Sequence, residues 1–280
     1  VTTGGPADLD PYDPLVSVSY AGWWARSVEL AKRTWAQTLL LQVAVVAVNL
    51  LVILPVTLLQ HWLFFGGGTL NLSGAMKSLP ITLASGIVLT ALRLVVFAVV
   101  GLAGVHLVTA VAVGRPVSAV TAMRQAMFRV WPMIGWSLLF GLLVGLGYAA
   151  CVLPAFYLAL LFILLAPVIA YERGNPFDRT FTLANSAFSG PLGVLATILG
   201  VYVGGFVVQL AIAQVMSLVM TAALGATGEY VNVVLAAVVS CVIWAGVAVF
   251  AYPTQVTAYA LLRARREALS TGQLAAELAT

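Results

Sequence analysis

Along the chain, long apolar runs alternate with short connectors that carry arginine. A helix crossing a hydrocarbon core of about 30 Å needs roughly 20 mostly apolar residues. Six runs meet or approach that length, at about 37–59, 81–112, 132–151, 155–171, 192–224 and 230–262. The second, fifth and sixth exceed it and must tilt, kink or protrude. No run alternates with period two, so no strand is expected. Between the third and fourth runs only CVLPA remains, and Pro154 predicts a tight hairpin. After the first run, Trp62, Phe64 and Phe65 suit a membrane interface, and Gly66–Gly67–Gly68 suits a flexible turn.

The connectors have helical periodicity. In 17–36, Tyr20, Trp24, Val28, Ala31 and Trp35 share one face, opposite Arg26, Glu29 and Arg33, and Glu29 and Arg33 are an i,i+4 pair. In the second, Ser118 is placed as an N-cap, with Val120, Met123, Met127 and Trp131 on one face and Arg124 and Arg129 elsewhere. The third has Asn175 as N-cap and Pro176 at the first helical position. Its stripe is Phe177, Phe181, Ala184 and Phe188, and Gly190–Pro191 ends it. These stripes are expected to pack on the bundle or lie in the headgroup layer rather than to form a binding box.

Each connector is followed by two apolar runs. The expected fold is therefore an all-α integral membrane protein with six transmembrane helices. They form three parallel repeats of a cytoplasmic amphipathic helix plus a transmembrane hairpin, at about 17–112, 114–172 and 175–262. Residues 1–16, with three Asp, three Pro and no basic segment, read as a disordered tail rather than a signal peptide, and 263–280 as a basic C-terminal tail. Gly141–Gly145 and Gly200–Gly204 have GxxxG spacing, which permits close helix contact within the bundle or in a homo-oligomer.

Composition sharpens this picture. Of 280 residues, 62% are hydrophobic and 8% charged, with a mean hydropathy of +1.07, which excludes an ordinary water-facing surface. The net charge of +4 is too small to imply nucleic acid. Its placement is more telling. Arg26, Lys32, Arg33, Arg115, Arg124, Arg129, Arg173, Arg179, Arg263, Arg265 and Arg266 flank one side of the predicted spans, and Lys77 alone the other. By the positive-inside tendency both termini are cytoplasmic. Two Lys beside eleven Arg, with abundant Ala, Val and Gly, suggests a GC-rich bacterial genome and hence a bacterial inner membrane.

Candidate chemistry is sparse. Cys151 and Cys241 lie in apolar runs, and His61 and His106 lack acidic companions, so no metal, cofactor or enzyme activity is expected. Arg93 is the one basic residue inside a predicted span. Charge at that depth must snorkel, pair or face water, so Arg93 is either an anion or lipid-headgroup contact or a structural group bonded to backbone carbonyls. Glu172 and Arg173, at the cytoplasmic end of the fourth run, read as an interfacial ion pair and a further candidate contact.

Two segments resemble a known family. APVIAYERGNPFDRTFTLANSAFSG at 166–190 and YPTQVTAYALLRARREAL at 252–269 are similar to stretches of multi-pass membrane proteins related to the glycerophosphoryl diester phosphodiesterase membrane domain. In the second segment Pro253, Tyr259, Arg263, Arg265, Arg266 and Glu267 fall on the pattern, while Leu261 replaces the usual Asp. The connectors at 14–35 and 114–123 resemble the corresponding earlier ones. The resemblance implies a membrane module without the catalytic domain. The expected role is a non-enzymatic scaffold or accessory protein. It would act on anionic lipid headgroups or a protein partner through a basic cytoplasmic face of Trp24, Arg26, Arg33, Trp35, Arg124, Arg129, Trp131, Arg179, Arg263, Arg265 and Arg266. The alternative is a transporter or lipid-handling protein with a pathway between the three repeats near Arg93.

Overall fold

The computed structural model describes residues 12–65, 72–150, 152–188, 190, 192–224 and 226–279, and every regular element among them is helical. Helix α1 (Tyr20–Val48) starts at Ser19, whose Oγ accepts the Gly22 N–H at 3.1 Å. No Gly or Pro lies between Trp23 and Val48, so the first connector and the first apolar run form one rod. A π-helical turn, Asn49–Ile53, carries the rod into α2 (Leu54–Phe65). Pro55 accounts for it, since its ring crowds the Leu51 carbonyl and supplies no N–H, and one wider turn relieves both.

Helix α3 (Leu72–Ala112) contains Pro80, so the loop before it is shorter than the sequence implies. Gly66–Gly67–Gly68 lie outside the described residues. Helix α4 (Ala119–Ala126), capped by Ser118 Oγ on Thr121 N at 3.2 Å, passes through a 3-10 turn, Met127–Arg129, into α5 (Val130–Ala150). The fourth apolar run divides at Leu164 into α6 (Val152–Ile163) and α7 (Leu165–Tyr171), because Pro167 crowds the Ile163 carbonyl. Pro154 falls in the first turn of α6, where no N–H is needed, and Cys151 lies outside the described residues. Asn175 Oδ1 accepts the Phe177 N–H at 3.1 Å and starts α8 (Pro176–Phe188), followed by α9 (Leu192–Leu224), α10 (Ala226–Ala264) and α11 (Thr271–Ala279).

Among the described residues, five stretches are long and apolar enough to cross a membrane: Tyr20–Gln60, Leu79–Ala112, Ala119–Gly147, Leu192–Ala223 and Tyr230–Ala264. The fourth run is a shorter apolar stretch, Phe156–Tyr171. Neighbour contacts run α1–α3–α5–α6–α9–α10 and back to α1, closing a ring, with α3 also touching α10.

The contiguous buried core lies at one end of this ring, where the described chain begins and ends, called here the terminal end; Ile53 and Leu89 are buried outside it. Its buried core includes Trp23 and Leu30 of α1, Ala98–Val108 of α3, Leu161–Tyr171, Leu183 and Ala187 of α8, and Val256–Leu262 of α10. In the connectors the packed face is offset from the most exposed aromatics of each stripe, while Ala31 and Ala184 of the stripes are buried. Helix α1 buries Trp23, Ser27, Leu30, Ala31 and Thr34, while Trp24 and Trp35 are 41% and 54% exposed. Helix α4 buries Ala119, Ala122 and Ala126, leaving Val120, Met127 and Trp131 outside, and α8 buries Thr180, Leu183, Ala184 and Ala187, leaving Phe181 outside. Small residues let these helices approach the bundle closely. Ser27 and Thr34 can be buried because their hydroxyls bond the carbonyls of Trp23 and Leu30 at 2.8 Å each.

The glycines that admit close contact are likewise not the GxxxG pairs. A Cβ on Gly141, Gly145, Gly200 or Gly204 would meet nothing within 4 Å, whereas one on Gly104 would lie 2.6 Å from the Tyr252 ring and one on Gly205 2.7 Å from Val247. The chain ends differ from free tails as well. Residues 1–11 lie outside the described residues, but Leu15 and Val16 are buried, and in the 263–280 segment α11 packs Leu274 into the core.

Candidate functional site

Arg93 lies in the middle of α3, fourteen residues after Leu79 and so about 20 Å along the helix from that end. It lines two adjoining cavities of about 280 and 360 Å³. Both are bounded by Gln42, Val45, Asn49, Ile53 and Trp244 as well, and the walls come from α1, the π-helical turn, the start of α2, α3, α9 and α10. Helices α5 to α8 do not contribute. The cavities at Arg93 thus form a recess between the first two and last two long helices.

The amide, phenol and indole groups around this recess are paired. Gln42 Nε2 donates to Tyr252 Oη at 3.0 Å, Trp244 Nε1 to Gln209 Oε1 at 2.6 Å, and Asn49 Nδ2 to the Val45 carbonyl at 2.8 Å. Gln255 Nε2 donates to Tyr202 Oη at 2.8 Å beside it. Arg93 stands apart: among the described residues it makes no hydrogen bond and no ion pair, and its side chain is exposed. The reading of Arg93 as a structural group bonded to backbone carbonyls is thus not what the structure has. A guanidinium with five free donors at the edge of apolar and aromatic walls matches an oxyanion joined to a hydrocarbon chain.

At the terminal end a second cluster gathers several of the sequence-predicted arginines. Glu172 accepts from Tyr259 Oη at 2.6 Å and from Arg179 Nε at 2.7 Å. Arg179 also pairs with Glu267. Arg263 donates to Glu267 at 3.0 Å and grips Glu277 with both terminal nitrogens at 2.6 and 2.7 Å. Tyr259 stacks on Tyr171, centroids 5.1 Å apart, and Tyr171 bonds Thr109. Glu172 therefore pairs with Arg179, seven residues on, and not with its neighbour Arg173.

Burial disfavours the charge on Arg179, but its hydrogen bonds to Glu172 and Glu267 outweigh that and hold it protonated more firmly than usual. Burial likewise pushes the Glu267 carboxyl up, and the bonds from Arg179 and Arg263 more than reverse this, leaving it below the usual range.

Arg129 is also turned inward. Its Nη1 donates to the carbonyls of Ile169 and Ala170 at 2.8 Å and of Glu172 at 3.3 Å, capping the C-terminal end of α7. Three arginines assigned to the interfacial face, Arg129, Arg179 and Arg263, thus bind the protein's own acceptors.

The others remain outside. Arg33 pairs with Glu29 at 2.8 Å on the exposed side of α1, Arg26 borders the same helix start, and Arg265 lies over Gly190. Arg124, Arg173 and Arg266 are exposed, with Trp131 (76%) and Phe128 (85%) beside the first of them. Tyr259, Glu267 and Glu277 complete the cluster without having been singled out for a role from spacing. Among the described residues no group of three or more His, Cys, Asp or Glu is arranged to hold a metal ion. Comparisons with protein-family models, with curated proteins and with solved structures find no match to the chain.

Proposed function

We propose that this chain is a non-enzymatic, lipid-handling protein of the bacterial cytoplasmic membrane that receives an anionic amphiphile in the paired cavities at Arg93. The single observation behind this is the unpartnered guanidinium in mid-helix, lining apolar and aromatic walls whose glutamine, asparagine, tyrosine and tryptophan polar groups are already paired. An uncompensated charge at that depth costs several kcal/mol, which an acyl-chain carboxylate or a lipid phosphate would offset. In this reading the ring contributes six spans, α6 and α7 together making the fourth, arranged as three parallel hairpin repeats with cytoplasmic termini. The sequence resemblance to the phosphodiesterase membrane domain belongs to the same proposal, as a membrane module without catalysis.

The test is lipid retention by the full chain in mild detergent, read by native mass spectrometry after incubation with oleate, phosphatidylglycerol or phosphatidylcholine. The wild type should retain the anionic species, and Arg93→Gln should lower retention about tenfold, the loss of one charge-assisted contact. Equal retention by the two proteins defeats the proposal.

A scaffold role is the second reading, and the exposed aromatics at the terminal end favour it. Trp24, Trp35, Phe128 and Trp131 project outward on or just after the elements that carry Arg26 and Arg124, a composition suited to the headgroup layer or to a partner protein. Co-purification from membranes, repeated with Trp24→Ala and Trp131→Ala together, distinguishes it: a partner lost in that variant supports a scaffold, and one retained removes this face from consideration.

A further inference from the structure

We propose a second anion site, separate from Arg93, in which Arg129 and Arg173 hold the phosphate of an anionic phospholipid headgroup at the terminal end of the bundle. Both line a cavity of about 570 Å³ between the 3-10 turn, the start of α5 and the α7–α8 connection, walled by Phe128, Pro132, Trp136 and Pro176. The two arginines feel each other's positive charge. Arg129 commits one terminal nitrogen to the α7 cap, so its Nε and other terminal nitrogen have no partner among the described residues. Arg173 is exposed and makes no hydrogen bond or ion pair among them.

Glu172 borders the same cavity but does not neutralise the pair, because its carboxylate is held by Tyr259 and Arg179. Two cations left facing one cavity are stable together when a doubly bonded oxyanion bridges them, and paired guanidinium forks match phosphate geometry. A lipid is the indicated source of the phosphate. Phe128 is almost wholly exposed beside Arg129, and Trp136 and Pro132 continue the cavity wall along α5 towards the apolar zone, where a glycerol backbone and acyl chains would lie. The arginines lie at the end of α7 and the start of α5, at headgroup depth for those two helices.

The test uses the full chain in an Arg93→Gln background, so that failure of the Arg93 cavity can neither produce nor hide the result. Retention of phosphatidylglycerol against phosphatidylcholine is measured by native mass spectrometry, with inorganic phosphate as competitor. Arg173→Gln should reduce phosphatidylglycerol retention about tenfold and leave phosphatidylcholine unchanged. Arg266→Gln removes the same charge from the same end outside the cavity and should have no effect. The proposal is overturned if Arg173→Gln changes nothing, or if Arg266→Gln lowers retention as much, which would mean diffuse surface charge. It is also overturned if inorganic phosphate binds as tightly as the lipid, which would make the ligand a free anion.

Discussion

Asp13 caps helix α11 across 258 residues of chain, its Oδ2 accepting the Thr271 N–H at 2.8 Å. Its Oδ1 accepts the Thr271 hydroxyl together with the N–H groups of Leu15 and Val16, at 2.9 and 2.7 Å. One carboxylate thus orders the start of the described chain and the start of its last helix, where the helix dipole also favours negative charge. Asp13→Ala should cost about 1–2 kcal/mol, and Asp13→Asn less, since the amide keeps one acceptor oxygen. Hydrogen exchange at 271–279 is the measurement; unchanged protection in Asp13→Ala would show that α11 is held by Leu274 and Glu277 without the cap.

Arg129 is expected to matter for stability more than an exposed arginine does. Removing it strands the Ile169, Ala170 and Glu172 carbonyls at the end of α7, and unsatisfied acceptors there cost about 1–3 kcal/mol. Thermal unfolding in a fixed detergent should show Arg129→Ala well below Arg124→Ala, whose parent residue is exposed. Similar midpoints for the two variants would contradict the capping role.

Acid should loosen the terminal end through Glu267. Its carboxyl is below the usual range in the folded protein, burial pushing it up and the bonds from Arg179 and Arg263 pulling it further down. A depressed folded pKa contributes stability that is complete above the unfolded carboxylate pKa and lost as pH falls through the folded value. The midpoint should therefore be flat near neutrality and decline below about pH 4, with a shallower acid decline in Glu267→Gln. An identical acid limb in both proteins would assign that decline to other carboxylates.

Glycine substitutions separate real from apparent helix contacts. Gly104→Ala drives a methyl into the Tyr252 ring and disturbs its bond from Gln42, at about 1–3 kcal/mol. Gly141→Ala and Gly145→Ala meet open space and should be neutral or stabilising by up to about 1 kcal/mol through helix propensity. Destabilisation by the latter pair in membranes, but not in dilute detergent, would reveal a contact between copies of the chain.

How much of this was legible from sequence depended on range. Apolar runs, the caps at Ser118 and Asn175, and the Glu29–Arg33 pair are local signals, and each has its counterpart in the structure. The packed faces were not readable by the same means. Trp23 and Trp24 are adjacent and equally apolar, so the choice between them is made by α10, where Trp23 Nε1 finds the Thr254 carbonyl at 3.3 Å. Arg129 and Arg179 looked like surface charges because their acceptors are backbone carbonyls or lie up to 88 residues away, whereas the Arg263–Glu267 pair has i,i+4 spacing and could have been read. The isolation of Arg93 was legible as chemistry, but the recess beside it was not. That recess depends on the π-helical turn and on which helices the ring brings together.

The one-ended core has a mechanical consequence. Among the described residues α9 buries none beyond Ile198, and α10 none between Tyr230 and Val247. A sheaf bound only at its base is stiff there and compliant above. In a bilayer, the lateral pressure of acyl chains more than buried side chains would set the spacing of the helices in those upper halves. Membrane thickness and chain order would then become determinants of this protein's shape, and the recess at Arg93 lies where the stiff part gives way to the compliant one.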